Sequence, residues 1–186
     1  MKTLSIVIPT LNAAGTLRAC LSSITPQLSD SVELLIVDGG STDGSQAIAG
    51  EYLVDAPGST IYGAMNYGIE HSAGEYLYFI GADDTLVDDA VEAMCAQTDS
   101  LVWGRAYQAF DFPTHNIRQQ SYLYHRSLFE AHGLFDLEHP VYADLWFKKR
   151  MSDVGISPVK IMAPFARIAA GGFSSRTKDL MPPSIS

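Results

Sequence analysis

A chain of 186 residues is the size of one folded domain. With 47% apolar residues and only 9 Pro and 15 Gly it is neither disordered nor collagen-like. Twelve Lys and Arg against 21 Asp and Glu give a net charge of −9, which argues against a broad basic surface for nucleic acid or anionic lipid. Cys20 and Cys95 are too few for a disulfide framework or a thiolate zinc centre, and they read as buried thiols in a reducing compartment.

The opening MKTLSIVIPTLN has one lysine and a short apolar run ending at Pro9, unlike a secretory signal. No stretch approaches the roughly 18 apolar residues needed to cross a bilayer. A cytoplasmic chain is expected, free to visit the inner face of a membrane without spanning it.

In chain order, Leu4 to Ile8 reads as a buried strand stopped by Pro9, and Ala13 to Ile24 as a helix through Leu17, Cys20, Leu21 and Ile24. Val32 to Val37 is a second buried strand, ending in the turn Asp38-Gly39-Gly40-Ser41. Ser41 or Thr42 then caps a short helix over Gly44 to Ala49. Ile61 to His71 repeats apolar residues at helical spacing, Glu75 to Ile80 is a third strand, and Thr85 to Met94 looks helical. The second half is less regular: a strand pair over Ser100 to Ala109, helices over Arg126 to His132 and Tyr142 to Met151, and a late strand over Val159 to Ala169. Lys178 to Ser186, with Pro182-Pro183, reads as a frayed tail. Strands that read as buried rather than alternating, interspersed with helices, predict an α/β fold with an open, mostly parallel sheet covered by helices on both faces.

Ligands of such sheets bind beyond the carboxyl ends of the strands. Three of those ends carry polar groups: Thr10 and Asn12, Asp38, and Asp83 with Asp84. Adjacent carboxylates at Asp83 and Asp84 suit a divalent cation, or else start a helix where negative charge meets the dipole. The chain has no phosphate-binding GxxxxGK[ST], no GxGxxG, no HExxH and no GxSxG. Its five histidines are scattered.

These stretches together resemble the family 2 glycosyltransferases, which have the GT-A fold. The matching segments are SIVIPTLNAAGTLRACLSSI, ELLIVDGGSTDGS, IYGAMNYGIEHSAGEYLYFIGADD, QQSYLYHRSLFEAHGLFD, YADLWFKKR and AAGGFSS, in family order over roughly residues 4 to 175. The resemblance implies inverting transfer of a sugar from a nucleotide-diphosphate-sugar donor to a hydroxyl of a glycan or lipid-linked acceptor, as in cell-surface polysaccharide synthesis. It implies a GT-A domain over residues 1–177, with a nucleotide-binding half over 1–95, an acceptor half over 96–177 and a tail over 178–186. Thr10, Asn12 and Asp38 would line the nucleoside pocket, and Asn66 would lie beside the nucleotide or diphosphate. Asp83 and Asp84 would stand at the DXD-like position, binding the nucleotide-sugar and Mn2+ or Mg2+, with Asp84 the direct ligand. Asp144 would be the general base, against the plainer reading of charge at a helix start. The chain departs from the family pattern at Gly63, where an aspartate is usual, and at Gln119-Gln120, where a His-Gln pair is frequent. Those departures motivate an alternative, a non-catalytic GT-A module that binds a nucleotide-sugar or a protein. A nucleotidyltransferase fits the acidic site but lacks a basic, glycine-rich triphosphate loop. Trp103, Tyr107, Tyr122, Tyr142 and Trp146 are candidate acceptor-stacking rings, or core.

Overall fold

The computed structural model describes residues 3–108 and 119–170. The tail, His115 and the glycines of AAGGFSS lie outside these. Eight strands form one sheet, β1 (Leu4–Thr10), β2 (Val32–Asp38), β3 (Leu53–Asp55), β4 (Tyr76–Phe79), β5 (Thr85–Leu86), β6 (Leu101–Gln108), β7 (Tyr122–His125) and β8 (Val159–Ile168). The spatial order is β3-β2-β1-β4-β7-β6-β8-β5. Between them run α1 (Leu17–Ile24), α2 (Ser45–Ala49), α3 (Ile61–Glu70), α4 (Ala90–Cys95), α5 (Ser127–His132) and α6 (Ala143–Asp153).

The sheet is mixed. β3, β2, β1 and β4 are parallel, whereas β7 runs antiparallel to both β4 and β6, and β5 antiparallel to β8. Both faces are covered, because alternate residues of the apolar strands feed two separate cores. Leu4, Ile6 and Ile8 of β1 pack with Leu17, Cys20 and Ile24 of α1 and Met94 of α4. Val7, Leu77 and Phe79 pack instead with Met65 and Ile69 of α3, Phe129 of α5 and Phe147 of α6. The α3 face approaches β1 so closely that a Cβ on Gly68 would stand 2.5 Å from Val7 Cγ1. Only glycine permits that approach.

Several boundaries differ from the sequence reading. β1 runs through Pro9 to Thr10, with Pro9 in register with Val37. Val7 O faces β4, accepting the Ile80 N–H at 3.2 Å, so Pro9, two residues on, points its missing donor past the end of β4, where no ladder bond is lost. Thr85 and Leu86 are strand rather than helix. They pair with Arg167 and Ala166, and the Val87 N–H continues to Phe165 O at 3.1 Å. The helix waits until Ala90. Leu101 to Gln108 is one strand, not a pair, and its antiparallel partner β7 is a strand the sequence did not announce. α2 begins after Gly44 without the side-chain cap expected of Ser41 or Thr42. Among the described residues no helix is long and apolar enough to cross a membrane.

Candidate active site

The carboxyl ends of β1 and β2 are joined by hydrogen bonds between the loops that leave them. The Asn12 N–H donates to Ser41 Oγ at 2.8 Å, and the Thr42 N–H to Asn12 Oδ1 at 2.9 Å. The Ala13 N–H donates to Ser45 Oγ, and the Ala14 N–H to Asp43 Oδ2. Asn12 takes a left-handed backbone, φ 49°, to do this, a conformation asparagine tolerates better than most residues. The Thr10 hydroxyl turns back to its own strand, donating to Ile8 O at 3.2 Å.

Asp38 is buried at the centre of this arrangement. Its Oδ1 accepts from the Gly40 and Ser41 N–H groups and Gln46 Nε2, and its Oδ2 from Ser41 Oγ at 2.5 Å. Burial works to raise its pKa, but these donors prevail and hold the carboxyl below its ordinary value. The carboxylate therefore organises the loop that leaves β2. Asp43, unassigned from sequence, ties the two loops together, and its donors from Ser45 and Ala14 lower its pKa in the same way.

After β4 the chain turns at Gly81, where a Cβ would stand 2.7 Å from Asp83 Oδ1 and 2.9 Å from Asp84 Oδ2. Absence of a side chain at Gly81 is what lets both carboxylates fold over the turn. They differ in their surroundings. Asp84 is buried, its Oδ1 accepting from the Ala169 N–H at 2.9 Å and its Oδ2 from Gln120 Nε2 at 2.6 Å. Burial, with repulsion from Asp83, pushes Asp84 up to about 6 against those bonds. Asp83 is partly exposed, and no described residue donates to its carboxylate. Among the described residues no third His, Cys, Asp or Glu completes a metal cluster. A hard cation bound here would be held by carboxylate oxygen, Asp83 first, and complete its coordination with phosphate oxygens and water, the set Mg2+ and Mn2+ accept. Cys20 is buried as expected, whereas Cys95 is only partly buried; burial and the charges of Asp84 and Asp83 push the Cys20 thiol up to about 12.

Asn66 does not present its amide to this crevice. Its Nδ2 donates to Phe135 O at 2.9 Å and its Oδ1 accepts the Phe135 N–H at 3.0 Å. A buried amide satisfies both ends, and here it fastens α3 to the turn that leads into α6.

Asp144 lies in the first turn of α6, 7% exposed. The Tyr62 hydroxyl donates to its Oδ1 at 2.6 Å and Lys148 Nζ to its Oδ2 at 3.0 Å. Burial and the neighbouring carboxylate push the Tyr62 phenol up, so it stays protonated and donates. Burial pulls Lys148 down, opposed by its bond to Asp144. The ammonium also stands 4.2 Å from the centre of the Tyr122 ring, a further site for positive charge. Lys148 is signalled in the sequence by its i,i+4 spacing from Asp144. Tyr62 is not signalled, since its partner is 82 residues away.

The parallel half-sheet with ligand-facing strand ends and a mixed second half is the architecture of GT-A glycosyltransferases. Residues 1–349 of Staphylococcus aureus TarS superpose with a TM-score of 0.74 at 16% identity, over 91% of this chain and 60% of that one. The mannosyltransferase PcManGT of Pyrobaculum calidifontis, solved with GDP-Man and Mn2+, gives 0.73 at 18% identity, over 91% and 57%. The chain thus spans about three-fifths of these solved chains. A family model, Glycosyl transferase family 2, matches residues 5–153, and the chain belongs to that enzyme family. A PGL/p-HBAD biosynthesis glycosyltransferase of Mycobacterium tuberculosis is 37% identical, over 78% of this chain and 68% of that protein.

Proposed function

We propose that this chain transfers a sugar, with inversion, from a nucleoside-diphosphate-sugar to the hydroxyl of a glycan or lipid-linked acceptor. Residues 1–95 would bind the donor and residues 96–177 the acceptor, at the inner face of a membrane. The observation that carries the reading is the separation of two acidic stations, strand-end carboxylates after β2 and β4 and the buried Asp144 on α6. Inverting transfer requires them: the acceptor attacks one face of the anomeric carbon while the diphosphate leaves from the other. The TarS structures with UDP and UDP-GlcNAc support a nucleotide-sugar as donor.

In this reading the loops of Thr10, Asn12 and Asp38 form the nucleoside wall, and Asp83 faces the diphosphate. Asp84 fixes Asp83 through the turn at Gly81, and Asn66 supports the acceptor side from below. A bound Mn2+ or Mg2+ would neutralise charge developing on the leaving diphosphate. Asp144 takes the acceptor proton. A carboxylate offers about four lone-pair positions, so the bonds from Tyr62 and Lys148 leave room for an acceptor hydroxyl.

Two observations favour a second reading. Both oxygens of Asp144 already have partners, and Gly63 replaces an acidic residue, which suits a nucleotide-sugar-binding module without turnover. Donor hydrolysis and transfer assays with Mn2+ over UDP- and GDP-sugars separate the two. Turnover that depends on Asp144 supports transfer, and tight donor binding without turnover over a broad acceptor panel supports the module.

A further inference from the structure

β6 and β8, LVWGRAYQ and VKIMAPFARI, contain no Asp or Glu, in a chain with 21 of them. They carry three cations, Arg105, Lys160 and Arg167, all exposed. No carboxylate pairs with any of the three among the described residues. Each lies instead against a soft or aromatic group on the facing strand. Lys160 Nζ stands 4.5 Å from the centre of the Trp103 ring, Arg105 Nη2 lies 3.4 Å from Met162 Sδ, and Arg167 Cζ is 5.6 Å from the centre of the Tyr107 ring. The result is an exposed strip in which charge alternates with apolar surface, with Met162 at 70% exposure and Tyr107 and Val159 at 42% each.

The strip is continuous with the proposed base. Trp103 stacks on Tyr122 with their planes 1° apart and centroids 6.2 Å apart. Tyr122 underlies Lys148, and Lys148 holds Asp144. A row of rings and cations thus runs from the outer strand of the acceptor half to the carboxylate that would deprotonate the acceptor.

We propose that this strip binds the acceptor, and that the acceptor is an amphipathic molecule carrying a phosphate group. The inference rests on the transfer reading above and supplies its missing substrate class. Guanidinium groups pair with phosphate oxygens in two-point geometry. The Trp103 edge, Tyr107 and Met162 offer a sugar ring or alkyl chain the apolar contact it needs. An acidic chain repels an anionic ligand over most of its surface, so two neighbouring strands that carry cations and no carboxylate of their own are where such a ligand can settle.

Binding can be measured without turnover. The chain has two tryptophans, so the Trp146→Phe variant leaves Trp103 as the reporter, titrated with n-octyl phosphate below its micelle concentration. A saturable change in Trp103 emission is expected, with little response to n-octyl glucoside. Replacing Arg105, Lys160 and Arg167 together by Gln should weaken octyl phosphate at least tenfold while UDP binding, by calorimetry, is unchanged. Lys160→Gln alone, at an exposed position, should give a smaller weakening in the same direction and stands in if the triple variant does not fold. Equal response to both detergents, unaltered affinity in the variants, or no response at all overturns the proposal. A response confined to phosphatidylglycerol vesicles also overturns it, assigning the strip to membrane docking. If UDP fails to bind the unsubstituted protein, the transfer reading fails by itself, whatever Trp103 reports.

Discussion

The two halves of the sheet hold their carboxylates by different means. On the parallel side, Asp38 and Asp43 accept mainly from their own loop, from N–H and hydroxyl groups no more than eight residues away, with Ala14 the one distant donor. On the mixed side, Asp144 depends on Tyr62, 82 residues away, and on a buried Lys148. Asp84, at the seam, depends on Gln120 and Ala169, 36 and 85 residues distant. Local bonds can form with the loop itself, whereas distant ones form only when the whole sheet is assembled. The parallel side therefore holds its carboxylates through pre-shaped loops, and the mixed side holds a charge site whose integrity reports on the fold.

The largest effect tests whether the distant site does the chemistry. Asp144→Asn should lower transfer by about 10²–10⁴-fold, the range for losing a general base, while UDP affinity measured by calorimetry stays the same. Unchanged turnover would remove Asp144 from the mechanism and leave it as packing. The next tests its dependence on the fold. Lys148→Met strands a buried carboxylate and should cost about 3–5 kcal/mol in urea unfolding. Adding Asp144→Leu to that variant should recover most of the loss, since a well-packed apolar pair of similar volume replaces a buried ion pair at little cost. If the single variant unfolds like the parent, the pair is not desolvated as described.

The same division explains what could be read before the structure. β1, β2 and β4 are largely apolar because helices cover both of their faces, so composition alone marks them. β3, β5 and β7 are only 3, 2 and 4 residues long and exist because a neighbour offers its edge, which leaves no periodicity to read. Pro9 misled as a strand end because its tolerance depends on where β4 stops. The acidic residues stand out by position at strand ends. Their roles do not, since those follow from partners. Asp84 and Asn66 look ligand-facing in the sequence, which does not show that Gln120 and Ala169 donate to Asp84 and that Asn66 pairs with Phe135. Asp83, the plainer of the two neighbours, is the one left open.

On the local side, Asp38→Asn should cost about 1.5–3 kcal/mol at neutral pH, the range for hydrogen bonds to a charged group. The sign of its pH dependence is fixed by the direction of its shift. The folded carboxyl titrates below the ordinary aspartate value, so its contribution is present in full above that value and fades as pH falls through the folded pKa. The stability gap between the parent and Asp38→Asn, followed by thermal unfolding from pH 7 to pH 3, should narrow below pH of about 4. A gap that widened on acidification would mean the loop bonds do not favour the ionised form.

The smallest effect lies where the halves meet. α3 packs on β1 and β2 and also carries Tyr62 to Asp144, so its first turn links the donor loops to the acceptor charge. Thr60 caps that turn, its hydroxyl accepting the Gly63 N–H at 3.1 Å. Thr60→Ala should destabilise by about 1 kcal/mol, as for loss of an N-cap. Fraying of the first turn would displace Tyr62, which sits at its second residue, while Gly68 keeps the rest of the helix seated on Val7. Transfer should then fall while UDP affinity holds, because none of the hydrogen bonds to the Asp38 carboxylate comes from α3. A matched loss of both would mean that α3 supports the nucleoside wall as well, and that the two halves are less independent than their hydrogen bonds indicate.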